Sequence, residues 1–181
     1  MERQPVLEGG RLALRPLAPE DWDALYAVAS DPLIWEQHPA HDRWREEVFR
    51  AFFADALASG GAIVAVDAAT GAVIGSSRWD AYDPAGGGAV EIGWTFLARS
   101  AWGTGANAAM KRLMLAHAFR YVARVDFRIG EANRRSRIAA ERIGARLTER
   151  SDVAMMGGQA VRHVIYALER TAFARGLAAK G

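Results

Sequence analysis

Arg99-Ser-Ala-Trp-Gly103-Thr-Gly105-Ala-Asn107 joins an alternating run, Val90-Glu-Ile-Gly-Trp-Thr-Phe-Leu97, to a long amphipathic stretch. A strand that passes through two closely spaced glycines into a helix marks an α/β unit and leaves bare backbone at the helix start. There the first N–H groups lack intrahelical partners and the dipole is positive, which suits a phosphate or pyrophosphate. A plain tight strand-to-helix turn has the same spacing, and both readings stand on these residues alone. Two related motifs are disfavoured. A Walker loop needs Lys and Ser or Thr after its last glycine, where this chain has Ala106 and Asn107; a dinucleotide fingerprint needs glycine where it has Ala108.

Towards the C-terminus, Met110, Leu113, Met114, His117, Ala118 and Tyr121 repeat at helical spacing. They lead to an alternating strand through Val125, Phe127 and Ile129, completing a β-α-β unit. Asn133-Arg-Arg-Ser136 opens another helix, which Gly144 stops. Two strands joined near Gly157-Gly158 follow, the last from about Val161 to Leu168, and the tail from Ala174 is expected to fray.

Towards the N-terminus lies the loop from Asp83 to Gly88. Before it, two strands flank Asp67-Ala-Ala-Thr-Gly71 as a hairpin, the second reaching about Trp79. The stripe Trp44, Val48, Phe49, Phe52 and Ala56 predicts a helix stopped by Gly60-Gly61. An earlier helix opens at Pro19, carries Trp22, Leu25, Tyr26 and Ala29 on one face, and ends before Asp31-Pro32. Arg11 to Arg15 reads as the first strand. The order β-α-α-β-β-β-α-β-α-β-β predicts an α/β fold, a twisted mixed sheet with helices on its faces. Within residues 89–97, alternation places Val90, Ile92, Trp94 and Phe96 on one face and Glu91, Gly93, Thr95 and Leu97 on the other.

The 181 residues, 51% of them hydrophobic, suffice for one domain over 1–181 with its core at about 11–169. The absence of cysteine excludes disulfides, thiolate nucleophiles and Cys-based zinc sites. The four histidines, His38, His41, His117 and His163, lack metal-binding spacing, so no metal is expected; His38 and His41 read as a loop pair beside a pocket. The N-terminus has neither a basic region nor an apolar run, and no apolar stretch spans a bilayer, so a soluble, cytoplasmic protein without membrane contact is expected. A net charge of +2 fits a local anionic ligand better than a nucleic-acid duplex.

The chain resembles the GCN5-related N-acetyltransferases, in the branch similar to the ribosomal-protein acetyltransferases RimJ and RimL. The resemblance spans roughly Arg11 to Glu169. It is carried by Glu91-Ile-Gly-Trp94, Trp102-Gly-Thr-Gly-Ala-Asn107, Lys111-Arg-Leu113, Ala118-Phe119, Asn133-Arg-Arg-Ser136, Arg142-Ile-Gly-Ala145 and Val164-Ile-Tyr166. It implies direct transfer of an acetyl group from acetyl-CoA to a primary amine: a protein N-terminus, a small amine or an amino acid. A CoA-binding module without catalysis is the alternative, and the resemblance also suggests a homodimer.

The resemblance implies a role for each site residue. Trp102, Gly103, Thr104, Gly105, Ala106 and Asn107 would hold the pyrophosphate, while Phe96 and Leu97 would pair with the pantetheine amides as an added strand would. A backbone N–H near Phe96 would polarise the thioester carbonyl. Asn133 would bind the pantetheine arm, and Arg134, Arg135 or Arg137 is a candidate for the 3′-phosphate. Glu91 would accept the amine proton, against the plainer reading of a strand carboxylate. Many relatives place a tyrosine acid seven residues after the motif asparagine, where this chain has Ala140. Ser136 is then the candidate proton donor, or else a helix cap, with Tyr166 as a further candidate. Two positions depart from the family pattern, Ser100 before the first glycine and His163 where relatives usually have Asp. Trp35, Trp44 and Trp79 either line an acceptor slot or pack the core.

Overall fold

The hairpin at Asp67-Ala-Ala-Thr-Gly71 closes as its residues dictate: Asp67 Oδ1 accepts from the amides of Ala69 (2.9 Å) and Thr70 (3.2 Å), and Gly71 takes φ +72°. Around it a computed structural model describes residues 1–156 and 158–178. The strands are β1 (Leu7–Gly9), β2 (Leu12–Pro16), β3 (Ala62–Asp67), β4 (Val73–Asp83), β5 (Ala89–Leu97), β6 (Arg124–Gly130), β7 (Arg146–Met156) and β8 (Gln159–Glu169). The helices are α1 (Trp22–Ala29), α2 (Pro32–Trp35), α3 (Glu46–Ala58), α4 (Ala106–Ala118), α5 (Arg134–Arg142) and α6 (Arg170–Ala178).

All the strands join one eight-stranded sheet in the order β1-β2-β3-β4-β5-β6-β8-β7. Neighbours run antiparallel except β5 and β6, which are parallel as a β-α-β unit requires. The expected mixed sheet with helices on both faces is therefore present. One face buries Met110, Met114, Leu115 and Ala118 of α4 and Ala140 of α5 against Ile63, Trp79, Val90, Ile92, Val125 and Phe127. The other buries Leu25, Ala29, Trp35, Phe49 and Phe53 from α1–α3 against Val64 and Phe96.

Five expectations are corrected. Asp31-Pro32 starts α2 rather than only ending α1: the Asp31 carboxylate caps Leu33 N–H at 3.0 Å and Pro32 takes the first helical position. The short strand β1 precedes β2, and β4 runs on past Trp79 to Asp83. The tail forms α6, because Arg170 N–H donates to Ala123 O at 2.9 Å and the Phe173 ring packs 5.1 Å from Phe119. Residues 179–181 of that tail, and Gly157 of the expected final turn, lie outside the described residues.

The fifth correction concerns β5. Arg78 pairs with Gly93 but Ser76 pairs with Phe96, so β5 carries one extra residue, and Trp94 has φ +53°. This β-bulge inverts the alternation beyond it. Val90 and Ile92 lie in the α4-side core as expected. Phe96 lies instead in the α3-side core, Trp94 stacks under Arg78 at 4.5 Å, and Leu97 joins the α4 side.

Candidate active site

β5 is paired with β4 along its length, but its ladder with β6 covers only Ala89–Glu91 against Arg124–Asp126. Beyond Glu91 the two strands part, leaving a fork whose β5 arm carries the bulge and Trp94–Leu97. At its far end a 3-10 turn (Arg99–Ala101) leads into the glycine turn and α4. Gly103 and Gly105 have φ +74° and +87°, a region that favours glycine, and a Cβ built at either meets nothing within 4 Å. The turn is thus both bare and open. The Thr104 hydroxyl donates to Ala101 O at 2.8 Å and accepts from Ala106 N–H at 3.3 Å, fixing the loop. The next amides, of Asn107 and Ala108, start the helix without helical acceptors. These residues fit a diphosphate, and the fork beside them fits an extended amide-bearing arm.

Of the other residues expected to bind, Trp102 donates from Nε1 to Leu97 O at 3.1 Å, which occupies that carbonyl and ties the glycine turn to the end of β5. Arg99 pairs with Asp31 rather than facing the turn. Asn133 is buried and caps α5, its Oδ1 accepting from Ser136 N–H at 3.2 Å, with Nδ2 left without a protein acceptor among the described residues. The cap is therefore Asn133 and not Ser136, whose hydroxyl has no hydrogen bond among the described residues. Arg135 lies 4.2 Å over the Trp102 ring and reaches the carbonyl of Ile34 at 3.3 Å, bridging α5, α2 and the glycine turn. Arg137 donates to Tyr166 Oη at 3.1 Å, and that hydroxyl donates to Glu141 at 2.8 Å, so Tyr166 is committed to the packing of α5 on β8.

Glu91 stands at the root of the fork, on the face opposite Val90, as alternation predicts. It lines an open cleft of about 590 Å³ with Asp126, Arg128, Arg150 and Asp152. Burial pushes its carboxyl up to about 7; Arg128 opposes this, while Asp80, Asp126 and Asp152 add to it. The cleft's cations are already spoken for. Arg128 binds Asp152 through Nε and Nη2, and Arg150 binds Asp126 at 2.7 and 2.8 Å. Glu91 therefore keeps no ion-pair partner among the described residues and can take and release a proton near neutrality.

His163, on β8, is buried with Nδ1 3.7 Å from Asp152, and burial lowers its pKa. Asp152 thus brings a carboxylate from the neighbouring strand beside the position where relatives usually have Asp. His38 accepts from Ala40 N–H at 2.9 Å and is held down to about 3, chiefly by burial, so it is neutral. His117 is buried, with Nε2 2.8 Å from Glu2 O. Trp35 and Trp79 pack the two cores, whereas Trp44 is exposed. Among the described residues no group of three metal-ligating side chains occurs, and no helix is long and apolar enough to cross a membrane.

Sequence reasoning missed the Arg128, Asp152 and Asp126 surround of Glu91. Its signal was present, since Asp126 and Arg128 alternate with the apolar residues of β6. It also missed Lys111, a lysine one residue after Met110 and three before Met114, on the inward side of α4.

The model of the acetyltransferase (GNAT) domain matches residues 11–146. Among solved structures, the chain is similar to a GCN5-related N-acetyltransferase from Brucella melitensis, with 21% identity, 94% of this chain and 81% of that one covered, and a TM-score of 0.78. It is also similar to RimJ of Mycobacterium smegmatis in complex with CoA-disulfide (18% identity, 97% and 93% covered, TM-score 0.71). A third is the microcin C7 self-immunity acetyltransferase MccE in complex with acetyl-CoA and AMP (14% identity, 89% and 93% covered, TM-score 0.72). At these identities the likeness speaks for the fold. No curated protein matches the sequence. With the domain match covering most of the chain and the fork and bare glycine turn in place, the chain belongs to the GNAT family of acetyl-CoA-dependent N-acetyltransferases.

Proposed function

We propose that the chain transfers the acetyl group of acetyl-CoA directly to a primary amine, a protein N-terminus, a small amine or an amino acid, with Glu91 as the base. The observation that carries this reading is the position of Glu91: a carboxyl titrating near neutrality, at the root of the strand fork and lining an open cleft. The glycine turn from Trp102 to Asn107 binds the pyrophosphate, the fork edge at Phe96 and Leu97 takes the pantetheine arm, and Asn133 Nδ2 donates to that arm. The acceptor enters from the Glu91 cleft. Its nitrogen loses a proton to Glu91, directly or through water, and attacks the acetyl carbon. The C–S bond breaks with its electron pair going to sulfur, which takes a proton from the uncommitted Ser136 hydroxyl, itself replenished from solvent. The active unit is one domain over residues 1–181, working in the cytoplasm.

The test is a panel of peptides with free N-termini, small amines and amino acids, offered with acetyl-CoA and read by thiol release. Turnover on one of these classes, abolished by blocking the amine, is the expected result. Binding of acetyl-CoA without turnover on any amine would overturn the catalytic reading and leave a CoA-binding module.

A further inference from the structure

Lys111 lies on α4, is 7% exposed, and faces the sheet rather than solvent. Its Nζ donates to Thr95 Oγ1 at 2.6 Å and to Ser77 Oγ at 3.2 Å, and lies 5.9 Å from the centre of the Phe127 ring. Those neighbours belong to β5 just past the bulge, to β4, and to β6 across the fork. The amine is therefore held on the α4 side of the opening between β5 and β6. Among the described residues no carboxylate lies within 4.0 Å of it, and the groups packed against it from β4, β5 and β6 are two hydroxyls and a phenyl ring.

A buried ammonium with only neutral partners is costly, and an apolar side chain of similar size would stabilise the fold better. Three N–H groups of the ammonium meet two acceptors among the described residues, which leaves one donor uncommitted. Burial also lowers the Lys111 pKa to about 7, so the charge is present at and below neutrality and responds to a nearby anion.

We infer that Lys111 is a catalytic residue of this site, a buried cation that stabilises the negative charge developing on the acetyl thioester at the fork. The inference rests on the acetyl-transfer reading above. As the amine adds, the carbonyl π pair moves onto oxygen; as the C–S bond breaks, its pair moves onto sulfur. The Lys111 ammonium interacts with that charge in a water-poor setting and keeps its own proton, so the proton transfers through Glu91 and Ser136 are unchanged.

The probe is S-carboxymethyl-CoA, which carries a stable carboxylate at the acyl position, compared with its neutral isostere S-carbamoylmethyl-CoA by calorimetry. At about pH 6 the wild-type protein is expected to prefer the anion by about tenfold, and Lys111→Met to lose that preference while still binding the neutral analogue. A second measurement needs no change at position 111. In Glu91→Gln, where the carboxyl on the opposite side of β5 no longer titrates, the preference is expected to decline between about pH 6 and about pH 9 as Lys111 loses its proton. Equal binding of the two analogues by wild type, or an undiminished preference in Lys111→Met, overturns the inference and leaves the acetyl-transfer reading standing. Failure of a folded wild-type protein to bind either analogue overturns both.

Discussion

β5 has two neighbours and is treated differently by each. β4 follows it from end to end, absorbing two irregularities in register, at Ser76/Arg78 and at Asp80/Asp83. β6 pairs with three of its residues and then departs. The β4 side is a structural seam, where Trp79 is buried and the Ser77 hydroxyl lies 2.8 Å from that of Thr95. The β6 side gives up ladder hydrogen bonds beyond Glu91, which leaves the β5 backbone from Ile92 to Leu97 without a β6 partner. The difference teaches that this sheet makes its site by leaving a seam open, and that groups lining the opening can be disturbed while the closed seam keeps the fold.

The largest expected effect comes from Glu91→Gln, at the point where the seam opens. Turnover is expected to fall about 10³-fold, and the limb of the pH–rate profile that rises through about 7 to disappear, with acetyl-CoA affinity unchanged. Stability should move the other way. The folded-state pKa of Glu91 lies above its ordinary 4.5, so the folded protein binds more protons between about 4.5 and 7 and loses stability as pH rises through that window. The glutamine variant should lack this loss, giving a higher Tm than wild type at pH 8. A wild-type turnover and pH profile in Glu91→Gln would make Glu91 a structural carboxylate.

Next in size is Gly105→Val, which puts a β-branched side chain at φ +87° over the open turn. Acetyl-CoA affinity is expected to fall about 100-fold, with a native circular dichroism spectrum, because the closed β4 seam is untouched. Unchanged affinity in the folded variant would place the cofactor elsewhere. Ser136→Ala is expected to slow turnover about 100-fold with little change in Tm, since the cap belongs to Asn133. Full activity there would transfer proton delivery to solvent, as Tyr166 is engaged by Glu141 and Arg137. The smallest effect expected is the stability cost of Asn133→Ala, about 1 kcal/mol for a lost cap, read from denaturant unfolding. A change well below that would mean that the Asn133 side chain serves the ligand more than the helix.

Much of this was legible in the chain because local chemistry and tertiary role coincide. Gly103 and Gly105, the helix start at Asn133, the Asp67 hairpin and the facing of Glu91 each follow from residues within a few positions, although the cap itself was read at Ser136. The bulge was not legible: Gly93-Trp94-Thr95 has no turn residue at the strained position, and Trp94 holds φ +53° because Arg78 and the β4 register fix it from another strand. Phe96 was therefore placed on the wrong face. The β7 half of the Glu91 surround was hidden for a similar reason, since Asp152 and Arg150 reach the cleft only through the pairing of β7 with β8.

The extra residue in β5 sets a parity. Glu91 and Thr95 are four positions apart, and in an unbroken strand they would project from the same side of the sheet. With one residue inserted between them they project from opposite sides, Glu91 into the open cleft and Thr95 towards Lys111. A regular ladder with β4 at unchanged length would bring both to one side and send Phe96 to the other, exchanging the contents of two cores at once. The bulge, and not the residue count alone, therefore decides which core each side chain enters, and deleting Trp94 is expected to leave Thr95, Phe96 and Leu97 facing as they do.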